Sequence, residues 1–292
     1  MRYIFFGTPR FAEIILDALL KAGMPPLAVV CNPDRPVGRK KIITAPETKR
    51  RILDAAHGNL NVIEILQPEN IDDAFIKQLR DLRPDFFVVA AYAKIIPKTA
   101  LDIPRLGTIG VHPSLLPKYR GTSPIQSAIL GGEKETGVTI YSMDEKIDHG
   151  EIISQTKYQM SPADNYEVLV EELGELGGKL LVEILPKFAN GEIKSSAQEE
   201  QAATLTKKFK TEDGYVTPED LKDAQAGDPQ KTEIIFRKIR AMNPEPGIWT
   251  VNNGKRLKLL RASIIDGSLR LTKIQEEGQK PKDVSAGTIL IS

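Results

Sequence analysis

The sequence has 292 residues, with 40 Lys and Arg against 39 Asp and Glu, and 41% of its residues are hydrophobic. That length suits two domains of unequal size, and the near-zero net charge excludes a chain-wide polyanion-binding surface, so any nucleic-acid contact must be local. The lone cysteine, Cys31, allows no intrachain disulfide, and the only histidines, His57, His112 and His149, form no zinc-type cluster with it.

Met1 leads straight into Tyr3-Ile4-Phe5-Phe6 without a basic segment or a small-residue cleavage site, and no apolar stretch approaches membrane-spanning length. The expectation is a soluble, untargeted chain in a reducing cytoplasm. The run Tyr3 to Phe6 ends at Gly7-Thr8-Pro9, after which Phe11, Ile14, Ile15, Ala18 and Leu19 recur at helical spacing, predicting strand, turn and helix. Leu27 to Cys31 and Val62 to Leu66 read as strands, and Ile71, Phe75, Ile76, Leu79 and Leu82 predict a helix capped by Asn70. Phe86 to Ala91 is a fully apolar strand. Apolar strands alternating with amphipathic helices predict a parallel sheet covered on both faces, so the expected fold class is α/β, doubly wound, mostly parallel and Rossmann-like.

Thr108 to Val111, Val138 to Met143 and Glu151 to Tyr158 predict further strands, and Tyr166 to Phe188 a long helix. The first domain is expected over residues 1–200, a polar linker over 201–217 and a small C-terminal β domain over 218–292. Within that last domain a helix is predicted at Thr232 to Met242 and strands at Trp249 to Val251, Leu257 to Leu260, Leu269 to Ile274 and Thr288 to Ile291.

Two segments concentrate polar and rigid residues at strand ends, where open α/β sheets bind ligands. The first is His112-Pro113-Ser114-Leu115-Leu116-Pro117-Lys118-Tyr119-Arg120-Gly121, and the second is Asp144-Glu145-Lys146-Ile147-Asp148-His149-Gly150. A crossover between parallel neighbours would bring Asp148 beside His112, where a carboxylate fixes the imidazole tautomer for work on an oxyanion and an amine proton. On residues alone, His112 reads equally as a satisfied structural histidine and Asp148 as a turn residue before Gly150.

Phe6-Gly7-Thr8-Pro9-Arg10-Phe11-Ala12, Pro33-Asp34-Arg35-Pro36-Val37-Gly38-Arg39, Ser114 to Gly121 and Glu135-Thr136-Gly137-Val138-Thr139 together resemble the methionyl-tRNA formyltransferases. The resemblance runs from residue 1 to about residue 200 and resumes at Arg240-Ala241-Met242-Asn243-Pro244, similar to the family's entry into its C-terminal barrel. It implies transfer of a formyl group from 10-formyltetrahydrofolate to the amino group of initiator methionyl-tRNA, without a metal, by a cytoplasmic monomer that supports translation initiation. The folate is expected against Ala91, Tyr92, Ile95, Ile96, Ser114, Leu115, Leu116, Pro117, Met143, Ile147 and Asp148, although Tyr92 and Ile95 read equally as core. Arg35, Arg39, Lys40 and Lys41 correspond to the family's tRNA-contacting loop, with Lys49, Arg50 and Arg51 following it.

The resemblance also implies a catalytic trio of asparagine, histidine and aspartate. His112 and Asp148 match the last two, but Gly110 stands at the asparagine's place, which predicts a missing oxyanion donor and a loss of about 10²–10³ in turnover. A shortened C-terminal domain is a second expected departure. The alternatives are a nucleotide-sugar N-formyltransferase, because the Ser114 block and the Asp148 loop are shared across the superfamily, and an inactive folate- or RNA-binding relative, because of Gly110.

Overall fold

In the computed structural model, which describes residues 1–38, 40–56 and 63–285, the first half of the chain alternates strand and helix. The elements in order are β1 (Tyr3–Gly7), α1 (Arg10–Lys21), β2 (Ala28–Val30), β3 (Arg35–Val37), β4 (Ile42–Thr44), α2 (Glu47–Ala56), β5 (Glu64–Leu66), α3 (Asp73–Asp81), β6 (Phe86–Ala90), α4 (Lys98–Leu101) and β7 (Thr108–His112). There follow β8 (Arg120–Gly121), α5 (Pro124–Gly131), β9 (Glu135–Ser142), β10 (Ile152–Gln159) and α6 (Tyr166–Ala189). Seven strands form one sheet in the order β10-β9-β7-β6-β1-β2-β5. The five from β7 to β5 are parallel to one another.

The sheet corrects one sequence expectation. β9 runs antiparallel to β7, and β10 antiparallel to β9, so Asp148 does not reach His112 by a parallel crossover. A strand buried on both faces reads as a continuous apolar run in either direction, and doubly wound sheets often carry antiparallel strands at one edge. The helix predicted after residue 70 is capped two residues later than expected: Asp72, not Asn70, accepts a hydrogen bond from the Phe75 N–H at 2.9 Å.

One face of the parallel strands buries Ile4, Phe6, Val30, Phe87 and Val89 under Phe75, Ile76, Leu79, Ala100 and Leu101 of α3 and α4. On the opposite face Tyr3 stacks on Phe86, with ring centroids 5.3 Å apart, and Phe188 of α6 meets Phe86 edge-on. Cys31 is fully buried, and burial pushes its thiol up to about 11, which removes it from nucleophilic chemistry.

The chain divides into two compact units, one of Met1–Gly121, Glu135–Gln159 and Leu169–Leu205, the other of Thr122–Lys134, Met160–Val168 and the chain from Thr206 on. β11 (Leu205–Thr206) lies at the boundary, and α7 (Pro218–Ala226), α8 (Pro229–Met242), β12 (Trp249–Asn252), β13 (Lys255–Ile265), β14 (Ser268–Glu276) and β15 (Lys282–Asp283) follow. The expected C-terminal β structure is a four-stranded antiparallel sheet in the order β12-β13-β14-β15. Two helices precede it where the sequence reading has one. Each opens on a cap followed by proline: Thr217 accepts from the Asp220 N–H at 3.0 Å and Asp228 from the Lys231 N–H at 2.9 Å. α7 carries no apolar period, because Leu221 is the one large apolar residue on its buried face. The strand predicted at Thr288 to Ile291 lies outside the described residues.

Candidate active site

His112 is the last residue of β7 and faces Thr139 of β9, which faces Gln155 of β10; one step back, Gly110 faces Tyr141. Because alternate residues share a face, these five positions lie on one side of the sheet. Thr139 and Gln155 hold down the loop that leaves His112. The Thr139 hydroxyl donates to the Ser114 carbonyl at 2.7 Å and accepts from the Leu116 N–H at 3.0 Å, while the Gln155 amide donates to the Leu116 carbonyl at 2.7 Å. Leu115 closes over Gly137, where a Cβ would come within 2.6 Å of its methyl. The Leu116-Pro117 peptide is cis, and the fully buried Ser114 hydroxyl donates to the Lys118 carbonyl at 2.6 Å.

Asp148 sits in the loop after β9 with φ 47°, a left-handed conformation that Asp tolerates better than most residues. Its Oδ1 accepts from the Tyr141 hydroxyl at 2.6 Å, and its Oδ2 accepts from the Gly121 N–H at 2.7 Å and lies 3.5 Å from His112 Nδ1. The other ring nitrogen, Nε2, is 2.9 Å from the Tyr119 carbonyl oxygen. Each imidazole nitrogen therefore faces an acceptor; a neutral ring donates to one of them and an imidazolium to both. Burial, reinforced by the Asp148 charge, raises the Tyr141 phenol well above its ordinary range, so this donor stays protonated.

A further layer fixes the Asp148 loop. The Gln198 amide donates to the Asp148 and Gly150 carbonyls at 2.9 and 2.7 Å and accepts from the buried Arg120 guanidinium. Arg120 also grips both oxygens of Glu200, at 2.7 and 3.1 Å, and this bonding lowers the Glu200 carboxyl below its usual range. Sequence reasoning missed Tyr141, Gln155 and Gln198. Tyr141 falls on the side of Thr139, but β9 is buried on both faces, so no local signal marks Tyr141, and none marks Gln198.

Gly110 does not face open space. A Cβ at residue 110 would fall 2.3 Å from the Tyr141 ring and 2.8 Å from its hydroxyl oxygen. Tyr141 already fills the space that a side chain at 110 would enter.

The residues expected to line the folate divide by exposure. Ile96 is buried in the core beneath α3 and α4, with Tyr92 and Met143 packed against the same cluster. Ala91 is exposed at φ 47°, and Ile95 and Ile147 are left 93% and 67% exposed. Lys98, just after the first loop, lies 3.7 Å from Glu145 in the second, which brings the two loops side by side. The Tyr92 ring packs edge-on against Phe6, as its core reading expects, and its buried hydroxyl has no hydrogen-bond partner among the described residues.

Among the basic residues, Arg35 lies on β3, which pairs with β4 as an antiparallel hairpin, and Lys40 and Lys41 are exposed at its turn. Arg39 lies outside the described residues. Arg35 meets Glu69 at 2.5 Å, with both side chains more than half exposed, so that pair opens at little cost. Lys49, Arg50 and Arg51 are instead compensated by Asp34, Glu47 and Asp17 at 2.9, 3.2 and 2.6 Å. Val37, Ile42 and Ile43 are each more than half exposed on the same hairpin.

A histidine and a carboxylate are thus held together at the end of a central strand of a doubly wound sheet, the end where open α/β sheets bind ligands. Comparison with known proteins gives the family. Residues 1–185 match the formyl transferase family and residues 229–268 its C-terminal domain. The methionyl-tRNA formyltransferase of Chloroflexus aggregans is 41% identical over 265 residues, which cover 90% of this chain and 81% of that protein. The structure of methionyl-tRNA formyltransferase from Clostridium thermocellum superposes with a TM-score of 0.61 at 17% identity, covering 94% of this chain and 99% of that one. An N-formyltransferase from Helicobacter canadensis, solved with folinic acid and dTDP-3-aminofucose, gives 0.63 at 18% identity, covering 91% and 88%. The chain belongs to the formyl transferase family and is a one-carbon transferase.

Proposed function

We propose that this chain transfers the formyl group of 10-formyltetrahydrofolate to the amino group of initiator methionyl-tRNA and so supports translation initiation. The observation that carries the reading is 41% identity, across 90% of the chain, to a methionyl-tRNA formyltransferase. The pairing of His112 with Asp148 supplies the matching chemistry. No helix among the described residues is long and apolar enough to cross a membrane, in keeping with a cytoplasmic enzyme, which the same reading makes a monomer.

In this mechanism the neutral amine attacks the formyl carbon, a C–N bond forms, and the carbonyl electron pair moves onto oxygen. His112 donates to that oxyanion, sharing or displacing the hydrogen bond its Nε2 makes with the Tyr119 carbonyl. Asp148 holds the imidazole and accepts the amine's proton through water. Collapse re-forms the carbonyl and breaks the bond to N10 of the folate, which leaves with a proton. The folate lies against Ala91 to Ile96, the Ser114 to Pro117 loop and Met143 to Asp148, with Ile95 and Ile147 covering its faces.

The β3–β4 hairpin serves the acceptor. Its exposed lysines meet phosphates of the acceptor stem while Val37, Ile42 and Ile43 give it an apolar flank. Replacing Lys40 and Lys41 together by Ala should weaken tRNA binding and reduce the slope of log K against log salt by about one per lysine. Folate affinity should not change; equal loss of folate binding would remove the hairpin from the acceptor site.

Acceptor choice is tested by offering the purified chain 10-formyltetrahydrofolate with initiator methionyl-tRNA, elongator methionyl-tRNA or a dTDP-amino sugar. Formylation of the initiator tRNA alone is expected. Preference for the amino sugar would replace this function with nucleotide-sugar N-formylation.

A further inference from the structure

We infer that Tyr141 is a positioning residue of the transfer site, acting through Asp148 in the place left open at Gly110. The inference rests on the formyl-transfer reading of His112 and Asp148 and adds a residue to it.

Gly110 and Tyr141 are cross-strand partners, and the close approach of the ring requires glycine at 110, since a Cβ there would lie 2.3 Å from a ring carbon. The phenol oxygen would be only 2.8 Å from that Cβ. Tyr141 thus delivers a donor from β9 into the volume that a polar side chain at 110 would reach from β7.

The donor is engaged. At 2.6 Å the hydroxyl donates to Asp148 Oδ1, while the Gly121 N–H at 2.7 Å holds Oδ2, the oxygen that faces His112. With both oxygens fixed by donors, the carboxylate cannot turn away from the imidazole. Tyr141 is 3% exposed, so water does not compete for this bond, and a charge-assisted hydrogen bond in such surroundings is among the strong ones.

The test is steady-state and single-turnover formyl transfer by Tyr141→Phe, which keeps the ring and removes the hydroxyl. kcat should fall by about 10–10², as loss of a hydrogen bond to a charged group implies, with KM for both substrates within about twofold because the phenol touches neither in the ground state. In an Asp148→Asn background the same change should cost almost nothing further, because the two residues act in series. Placing 4-aminophenylalanine at 141, which restores a donor at the same point, should recover most of the lost rate, and it keeps the test valid if Tyr141→Phe folds poorly. Activity of Tyr141→Phe within twofold of the parent would overturn the inference. So would an equal loss in the Asp148→Asn background, which would make the role independent of Asp148. A parent chain inactive on every acceptor would instead remove the transfer reading itself.

Discussion

Asp148→Asn is expected to lower kcat by about 10²–10⁴, the range for losing a positioned acid–base group, while leaving the protein folded. The substitution preserves shape, and its hydrogen bonds can be rearranged. The side-chain oxygen can keep the Gly121 N–H and face His112, and the new amide can donate to a Tyr141 hydroxyl that turns to accept. What is lost is the negative charge beside the imidazole and the carboxylate oxygen that receives the amine's proton. kcat and kcat/KM should therefore fall together, with the melting temperature nearly unchanged. Activity within a few-fold of the parent would reduce Asp148 to a residue retained for its left-handed turn.

Gly110→Asn is expected to lower activity and stability, the reverse of what the family resemblance alone implies. From sequence, an asparagine at 110 restores an oxyanion donor and raises turnover. In the structure its Cβ alone would enter the Tyr141 ring, at 2.3 to 2.8 Å from three ring and hydroxyl atoms. Overpacking of this kind costs about 1–3 kcal/mol, and pushing Tyr141 aside also breaks its bond to Asp148. Gly110→Asn combined with Tyr141→Ala should be more stable and more active than Gly110→Asn alone, since the second change makes room for the first. The comparison needs thermal melts and formylation rates on the two variants. An additive or worse double variant would mean that the strands do not compete for this space.

The sequence made the parallel half of the sheet legible because β1, β2, β6 and β7 are buried on both faces and read as unbroken apolar runs. It also singled out His112 and Asp148, since dense polar residues directly after such runs mark the ligand-binding end of an open sheet. The direction of β9 was not legible, because burial alone does not encode it. Nor was Tyr141: in an apolar strand a tyrosine looks like core, and only the pairing opposite Gly110 gives its hydroxyl a task. Gln198 was hidden for another reason. It reaches the Asp148 loop from 50 residues away in a polar segment, and nothing in its neighbours distinguishes it from solvent-facing chain.

This site, with glycine at 110 and tyrosine at 141, is expected to be a working formyltransferase. Single-turnover transfer from saturating 10-formyltetrahydrofolate to initiator methionyl-tRNA tests it most directly, with enzyme in excess and the parent chain beside His112→Ala. Near-complete conversion to formylmethionyl-tRNA is expected from the parent, with loss of the fast phase in His112→Ala. Tight binding of folate and tRNA without product from the parent would contradict it and leave the chain a binding relative of the family.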